Sequence, residues 1–281
     1  MTAEQAQQVT ATILGCGSSA GVPRVGNNWG QCDPQNAKNR RRRCSLLIEG
    51  RRAGCDRPTR IIIDTGCDLR EQMLDHNVDA VDAVFYTHEH ADHTHGIDDL
   101  RVLALINKKR IDVYMSSRAA KRITTAFDYC FETSGDHGYP PILTSHIIEA
   151  GDRVVVDGPG GSIEVLAFTQ EHGGINSLGF RVGGFAYSVD LSGLPDDSLN
   201  AVANLDVWVL DALRPVPHPS HLCLPESLDW IERMKPSQAI LTNLHIDMDY
   251  ESVKTSIPSG VSPAFDGLVV DVTRGKVVAE A

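Results

Sequence analysis

The chain has 281 residues, 42% of them apolar, and a formal charge of −11, so it can bury a sizeable core in one large domain or two small ones. The acidic balance argues against long nucleic acids as partners, because their binders carry basic surfaces. No apolar run approaches the roughly 18 residues of a membrane span, no basic-then-apolar leader opens the chain, and seven cysteines at irregular spacing fit a reducing compartment. The expectation is a cytoplasmic protein with no membrane partner.

The first apolar run, Thr10–Leu14, reads as a strand and leads into a glycine-rich turn, Gly15 to Gly21, whose backbone N–H groups can face an anion. Arg40 to Arg43 precede the next run, Cys44–Glu49. Such a charge run ordinarily sits in solvent, although one arginine of it can grip a phosphate. A third strand, Arg60–Asp64, ends in Asp64-Thr65-Gly66 and is followed by a helix-like Asp68–His76. The run Ala83–Tyr86 then leads directly into Thr87-His88-Glu89-His90-Ala91-Asp92-His93. Three imidazoles and a carboxylate within six residues at a strand end suit Zn²⁺, Mn²⁺ or Fe²⁺. Sites of this kind make hydroxide from water near neutral pH. His88 and His90, two apart in an extended loop, can converge on one cation, while Asp92 and His93 face a second.

Helix-like segments at Ile97–Ile106 and Ser117–Phe127 flank a strand at Ile111–Met115. Further strand-like runs are Arg153–Val156, Ile163–Phe168, Ser177–Val182, Ala186–Val189, Val207–Leu210, Ala239–Thr242 and Gly267–Val272. Gly158-Pro159-Gly160-Gly161 reads as a hairpin turn. A helix at Pro225–Met234 opens on proline and stops at Lys235-Pro236, and Asp249–Ser256 is a short one. His172, Asp190 and His245 each stand at or near the end of one of these runs. Early and late strand clusters, each followed by helices, predict an α+β chain: a two-sheet sandwich with outer helices, one domain over 1–281. His76, His95, His137 and His146 belong to no such pattern and read as exposed or locally bonded.

The motif His88-x-His90-x-Asp92-His93, preceded by Asp64-Thr65-Gly66 and followed by His172, Asp190 and His245, resembles the metallo-β-lactamase superfamily from about Thr10 to Val272. The resemblance implies a metallo-β-lactamase-like four-layer αβ/βα sandwich with the metal site at one edge between the sheets. It implies two divalent ions, Zn or Mn: His88, His90 and His172 hold one, Asp92, His93 and His245 the other, and Asp190 bridges them. Two cations about 3.5–4 Å apart share a hydroxide nucleophile. Asp64 either takes the second N–H of a ligating histidine or is simply a strand-end turn residue. Two dications outweigh Asp92, Asp190 and the hydroxide, so the site stays positive, which favours a phosphate or carboxylate substrate. Di-iron oxygen-reducing relatives carry a carboxylate where this chain has His90, which favours hydrolysis over redox chemistry.

Within the superfamily, Leu14 to Pro23, Trp29-Gly30-Gln31-Cys32 and Arg40–Arg43 before Cys44-Ser45 resemble the phosphoribosyl cyclic phosphodiesterase branch of the carbon–phosphorus lyase pathway. The tRNA 3′-processing nucleases are more distant, and Cys130 to Gln170 carries only one Lys or Arg, Arg153, where they have a basic arm. His221, in Pro219-Ser220-His221-Leu222-Cys223, resembles an additional histidine of that branch that contacts the scissile phosphate or protonates the leaving oxygen; His218 competes for the role. Asp92 and His221 are thus the residues singled out for catalysis. Two positions depart from the branch. Only Cys32 stands in the N-terminal loop where the branch has a zinc-binding cysteine cluster, and Asn243 stands where its last ligand follows Leu-Thr. His245, two residues on, is therefore assigned as that ligand.

The expected function is a dinuclear metal phosphodiesterase that opens small cyclic phosphates or nucleotides by attack of a metal-bridging hydroxide, with a homodimer implied by the resemblance. The base or sugar is expected toward Val22–Gly30, where Trp29 is a stacking surface or, more ordinarily, a core residue. Carboxyl-ester, lactone or β-lactam hydrolysis shares the metal set. A non-catalytic metal-binding protein, like the B protein of pyrroloquinoline quinone synthesis, is the alternative outside enzymes.

Overall fold

Leu46, Leu47 and Ile48 are consecutive and all buried, and so are Ile61, Ile62 and Ile63. Side chains alternate across a strand, so such runs need cover on both faces. The computed structural model, which describes residues 4–133 and 140–278, supplies that cover in four layers. The first sheet contains β1 (Gln8–Gly15), β2 (Ser45–Arg51), β3 (Thr59–Ile63), β4 (Ala83–Phe85), β5 (Ile111–Met115) and β6 (Leu143–Ile147). The second contains β7 (Arg153–Val156), β8 (Ile163–His172), β9 (Ile175–Val182), β10 (Phe185–Ser188), β11 (Val207–Asp211), β12 (Gln238–Thr242) and β13 (Val261–Pro263). The chain then returns to the first sheet as β14 (Val269–Asp271) and β15 (Lys276–Val277). The strand orders are β15-β14-β1-β2-β3-β4-β5-β6 and β13-β12-β11-β10-β9-β8-β7.

Ile13, Leu46, Ile48, Ile61, Ile63 and Phe85 belong to the same core as Val165, Ala167, Phe180, Tyr187, Val207 and Val209, the layer between the sheets. The alternate residues Leu47, Ile62, Val84 and Tyr86 pack outward, beneath α1 (Leu69–Asp75), α3 (Leu100–Asn107) and α4 (Ser117–Ala126); the single-turn α2 (Ala91–Thr94) precedes α3, and α5 (Asp128–Phe131) follows α4. Behind the second sheet, Trp208 and Leu210 pack on Trp230, Ile231 and Met234 of α6 (Leu224–Met234), while α7 (Tyr250–Ser256) packs near β13. No described helix is long and apolar enough to cross a membrane.

Each predicted strand is present, and residues 157–162 join the antiparallel β7 and β8 as the predicted hairpin. β6, β13 and β15 are additions. Leu143–Ile147 reads Leu-Thr-Ser-His-Ile and is a partly exposed edge strand paired only with β5, so it lacks an apolar signature; β13 and β15 are too short to show one. The predicted helix at Ile97–Ile106 divides into a 3-10 turn at Ile97–Asp99 and α3.

The arginine run is not a solvated stripe. Arg41 is fully buried, Arg42 pairs with Asp75 and Asp266, and Arg43 pairs with Asp68 at 3.0 Å; only Arg40 is exposed. The segment is pinned along the β1–β2 edge, so its charges are spent on local acids and on the core.

Direction matters most for function. β3 to β6 run parallel, and so do β10 to β13. β8 shares the direction of β10, since both are antiparallel to β9. The carboxyl ends of these strands therefore gather at shared edges, where loops can deliver side chains from both sheets to one place.

Candidate metal centre

His88 lies just past β4, His172 ends β8, and Asp211 ends β11, while Asp64, Asp190 and Asn243 leave β3, β10 and β12. Asp64, Asp190 and Asn243 have φ of +62°, +55° and +60°. This is the left-handed region, which Asp and Asn enter more readily than other residues with a Cβ. Strained residues of this kind concentrate at functional sites. Gly66 is needed for closeness: a Cβ there would stand 2.2 Å from the Asp92 carbonyl oxygen, so only glycine lets the loop after β3 pass against the start of α2.

Three groups of ligand-type side chains share one carboxylate, Asp190. His88, His90, His172 and Asp190 form the first, and Asp92, His93 and Asp190 the second; the third is Asp190, Asp211 and His221, in which His221 is already bonded to Asp211. The candidate ligand atoms of each group lie within 4.8 Å of one another. Asp190 Oδ2 is 3.7 Å from Nε2 of both His88 and His172, whereas its Oδ1 is 3.4 Å from His93 Nε2. His93 Nε2 is also 3.4 Å from Asp92 Oδ2, and His88 Nε2 is 2.8 Å from His90 Nδ1. Ligands at about 2.0–2.2 Å from a tetrahedral cation stand roughly 3.3–3.6 Å apart. The spacing and the imidazole–carboxylate donor set thus suit a divalent cation in each of the first two groups.

The outer nitrogens are committed elsewhere, which orients the rings. His93 Nδ1–H donates to Asp64 at 2.7 Å, and His172 Nδ1–H donates to the Ser220 carbonyl at 2.7 Å. Thr87 donates its hydroxyl to Asp64 at 2.8 Å, so its oxygen accepts from His88 Nδ1–H at 2.9 Å. Asp64 is therefore the carboxylate behind His93. Burial, then the charge of His93, holds His88 well below the ordinary imidazole pKa, and burial lowers His172 too. Burial also opposes charge on His93, but Asp190, Asp64 and Asp92 outweigh it and hold His93 well above. Burial pushes Asp190 up, yet His93 first, then His88 and His221, keep it well below the carboxylate range. Three carboxylates around one imidazole demand a positive charge, which a proton on His93 or a metal ion supplies.

His221 borders the same cluster. Its Nδ1–H donates to the buried Asp211 at 2.9 Å, and its Nε2 lies 3.9 Å from Asp190 Oδ2. Burial opposes its charge, but the Asp211 hydrogen bond outweighs burial and raises its pKa to about 9. His218 instead contacts Ser220 at 3.3 Å. Beside the cluster opens a cleft of about 210 Å³ whose basic lining is Arg24, Arg214, His218, His221 and His245, with Asp190 its one acid.

His245 is not brought into any of these ligand groups. Its Nδ1 lies 2.8 Å from Asp247, and its Nε2 faces the Arg24 guanidinium. The left-handed turn at Asn243 brings the Asn243 amide to 3.1 Å from Asp190 Oδ1 and leaves His245 two residues further along the cleft wall. Most N–H groups of the glycine-rich turn are already taken, although Ser18 and Ser19 line the cleft. The N–H groups of Cys16, Gly17, Ser18 and Gly21 donate to Asp266, Arg42, Leu244 and Ser18. Trp29 packs on the small cluster of Val22, Cys32 and Ile246. His146 bonds Asp112 on the surface, and His137 lies outside the described residues. Asp211 and Arg24 are additions to the sequence reading. An aspartate closing the apolar run Val207–Leu210 is the same signal as Asp64 and Asp190; Arg24, in an irregular loop, carries none.

A sequence-family profile described as a beta-lactamase superfamily domain matches residues 59–246. An octanoyltransferase of Porphyromonas gingivalis is 28% identical over 259 residues, which are 91% of this chain but 50% of that protein; the chain spans about half the length of this curated relative. Among solved structures, a diphosphatase from the PhnP family is 30% identical with a TM-score of 0.81, covering 94% of this chain and 97% of that one. Zn²⁺-bound PqqB from Methylobacterium extorquens (16% identity, TM-score 0.69, covering 93% and 99%) and the short form of human tRNase Z (17%, 0.62, covering 94% and 99%) share the fold.

Proposed function

The chain belongs to the β-lactamase superfamily, and from that footing we propose that it is a phosphodiesterase acting on compact phosphate diesters such as cyclic phosphates or nucleotides, with 1–281 as one catalytic domain. One observation carries this reading. A carboxylate that offers a separate oxygen to each of two ligand groups opens into a cleft whose other ionisable lining residues are all basic, on a protein of charge −11. A neutral lactone or ester has no need of that field, whereas a phosphate diester does. The 30% identity to a diphosphatase over nearly the whole of both chains supports it.

In this reading His88, His90, His172 and Asp190 hold one divalent cation, and Asp92, His93 and Asp190 hold a second with the Asn243 amide beside them. Bound there, the two cations supply Lewis acidity toward phosphoryl oxygens and lower the pKa of water. Asp64, Thr87 and the Ser220 carbonyl keep the imidazoles in register by holding their outer N–H groups. His221, kept protonated by Asp211, holds a proton at Nε2 for the departing oxygen. The loop 219–223 thereby serves twice, since Ser220 orients His172 and the next residue is the acid.

The test is a parallel assay of bis-p-nitrophenyl phosphate, a chromogenic lactone and a chromogenic lactam, with the protein loaded in turn with Zn²⁺ and Mn²⁺. Turnover of the phosphodiester is expected. Hydrolysis of the lactone with no phosphodiester turnover would replace this reading by the acyl-ester one that the octanoyltransferase relative favours.

A further inference from the structure

We propose that Arg24, held by His245 and assisted by Arg214, forms a second anion subsite that takes the phosphoryl group next to the scissile one, so that the preferred substrate is a diphosphate diester. This rests on the phosphodiesterase reading above.

Two arginines, Arg24 and Arg41, have a buried Nε without a partner and, among the described residues, no carboxylate on the guanidinium. Arg41 is enclosed in the core, whereas Arg24 lines the cleft beside the ligand cluster. Arg42 and Arg43, by contrast, each meet an aspartate. Arg24 is half-buried, so its guanidinium is partly withdrawn from water with no anion beside it, and a bound anion would complete that arrangement. Among the described residues, the side-chain hydrogen-bond partner of Arg24 is the imidazole of His245. Asp247 meets Nδ1 of that ring with its carboxylate at 2.8 Å and its backbone N–H at 3.3 Å; the tautomer that gives Nδ1–H to the carboxylate leaves Nε2 to accept from the guanidinium. His245 is thus a positioning residue: it fixes Arg24 without neutralising it.

Arg214 lines the same cleft. It donates to the backbone carbonyls of Val216 and Pro217 at 3.1 and 2.6 Å, so its charge too is uncompensated by any described carboxylate. Asn243, which touches Asp190, stands two residues from His245, so the arginine subsite adjoins the ligand cluster within one cleft. A planar guanidinium with free N–H groups binds a phosphoryl group bidentately. A cleft of about 210 Å³ seats two adjacent phosphoryl groups and leaves the rest of the substrate outside.

The reaction balances without a further reagent. The oxygen of water bonds to the phosphorus at the ligand cluster, and the P–O–P bridge breaks. The distal phosphoryl group leaves as a monoester while the proximal one stays as the other monoester, and the two hydrogens of water are shared between them or lost to solvent.

The experiment measures binding of ADP and AMP to the metal-loaded protein by titration calorimetry at buffered free metal, with bis-p-nitrophenyl phosphate turnover and metal content recorded for each variant. The wild type is expected to bind ADP more tightly than AMP. Arg24→Gln should cut that preference about 10–100-fold, the worth of a hydrogen bond to a charged group. Arg24→Lys, which keeps the charge but not the fork, should fall between. His245→Ala should weaken the preference with metal content retained. Equal binding of ADP and AMP by the wild type, or an undiminished preference in metal-replete Arg24→Gln, overturns the subsite even if the phosphodiester is hydrolysed. An ADP preference that depends on Arg24 with no phosphodiester turnover upholds the subsite and overturns the phosphodiesterase reading instead.

Discussion

His221 shows how a single residue acquires a role from its neighbours. Asp211 fixes Nδ1 and raises the pKa to about 9, so the ring is an acid across neutral pH. His221→Ala should keep the metals and slow alkoxide-leaving substrates about 10²–10⁴-fold, with a smaller loss for p-nitrophenolate, which needs little protonation. The active form is the protonated one, so the wild-type rate on poor leaving groups should fall as pH rises through the His221 pKa, which Asp211 raises and cations bound on Asp190 would bring back down. Equal losses for good and poor leaving groups would make His221 a phosphate-binding group rather than an acid. The chain announced this histidine only through its resemblance to a phosphodiesterase branch; a lone histidine in a proline-rich loop has no local signature of its own.

At the scale of the element, the strand ends were the most legible part of the sequence. Asp64, His88 and Asp190 follow apolar runs buried on both faces, His172 ends an alternating strand, and the structure draws all four to one edge. Asn243 and His245 were not separable in this way, because the turn that decides between them is a backbone angle and not a residue pattern. Metal content after gel filtration should distinguish them. Asp190→Ala should deplete both positions, Asn243→His should retain the second metal at lower free concentration than wild type, and His245→Ala should leave the stoichiometry unchanged. Loss of one metal in His245→Ala, with none lost in Asn243→Ala, would return His245 to the ligand set.

For the whole molecule, the candidate cluster joins the two sheets. His88, His90, Asp92 and His93 come from the half that builds the first sheet, and His172 and Asp190 come from the second. A cation bound by both halves stabilises the native state alone, by mass action. Removing metal with a chelator should therefore lower the melting temperature well beyond any effect of the same chelator on Asp190→Ala. A chelator effect of the same size in that variant would mean that the ions stabilise the fold elsewhere. The formal charge of −11 is also uneven: acids dominate the chain while bases line the cleft, so net charge was silent on the local field.

What the sequence determined by itself was whatever repeats or clusters over short spans. Apolar runs specified the strands, and a motif of four ligand-type residues within six positions specified one wall of the site, because neighbours in an extended loop are neighbours in space. Tertiary structure decided what depends on contacts between distant segments. It buried Arg41 and paired Arg42 and Arg43, spent most of the glycine-turn N–H groups on carbonyls and Asp266, and set Arg24 against His245 across 221 positions. Each of these turns on where a polar group finds its partner once water is excluded, and that partner is fixed by packing rather than by adjacency along the chain.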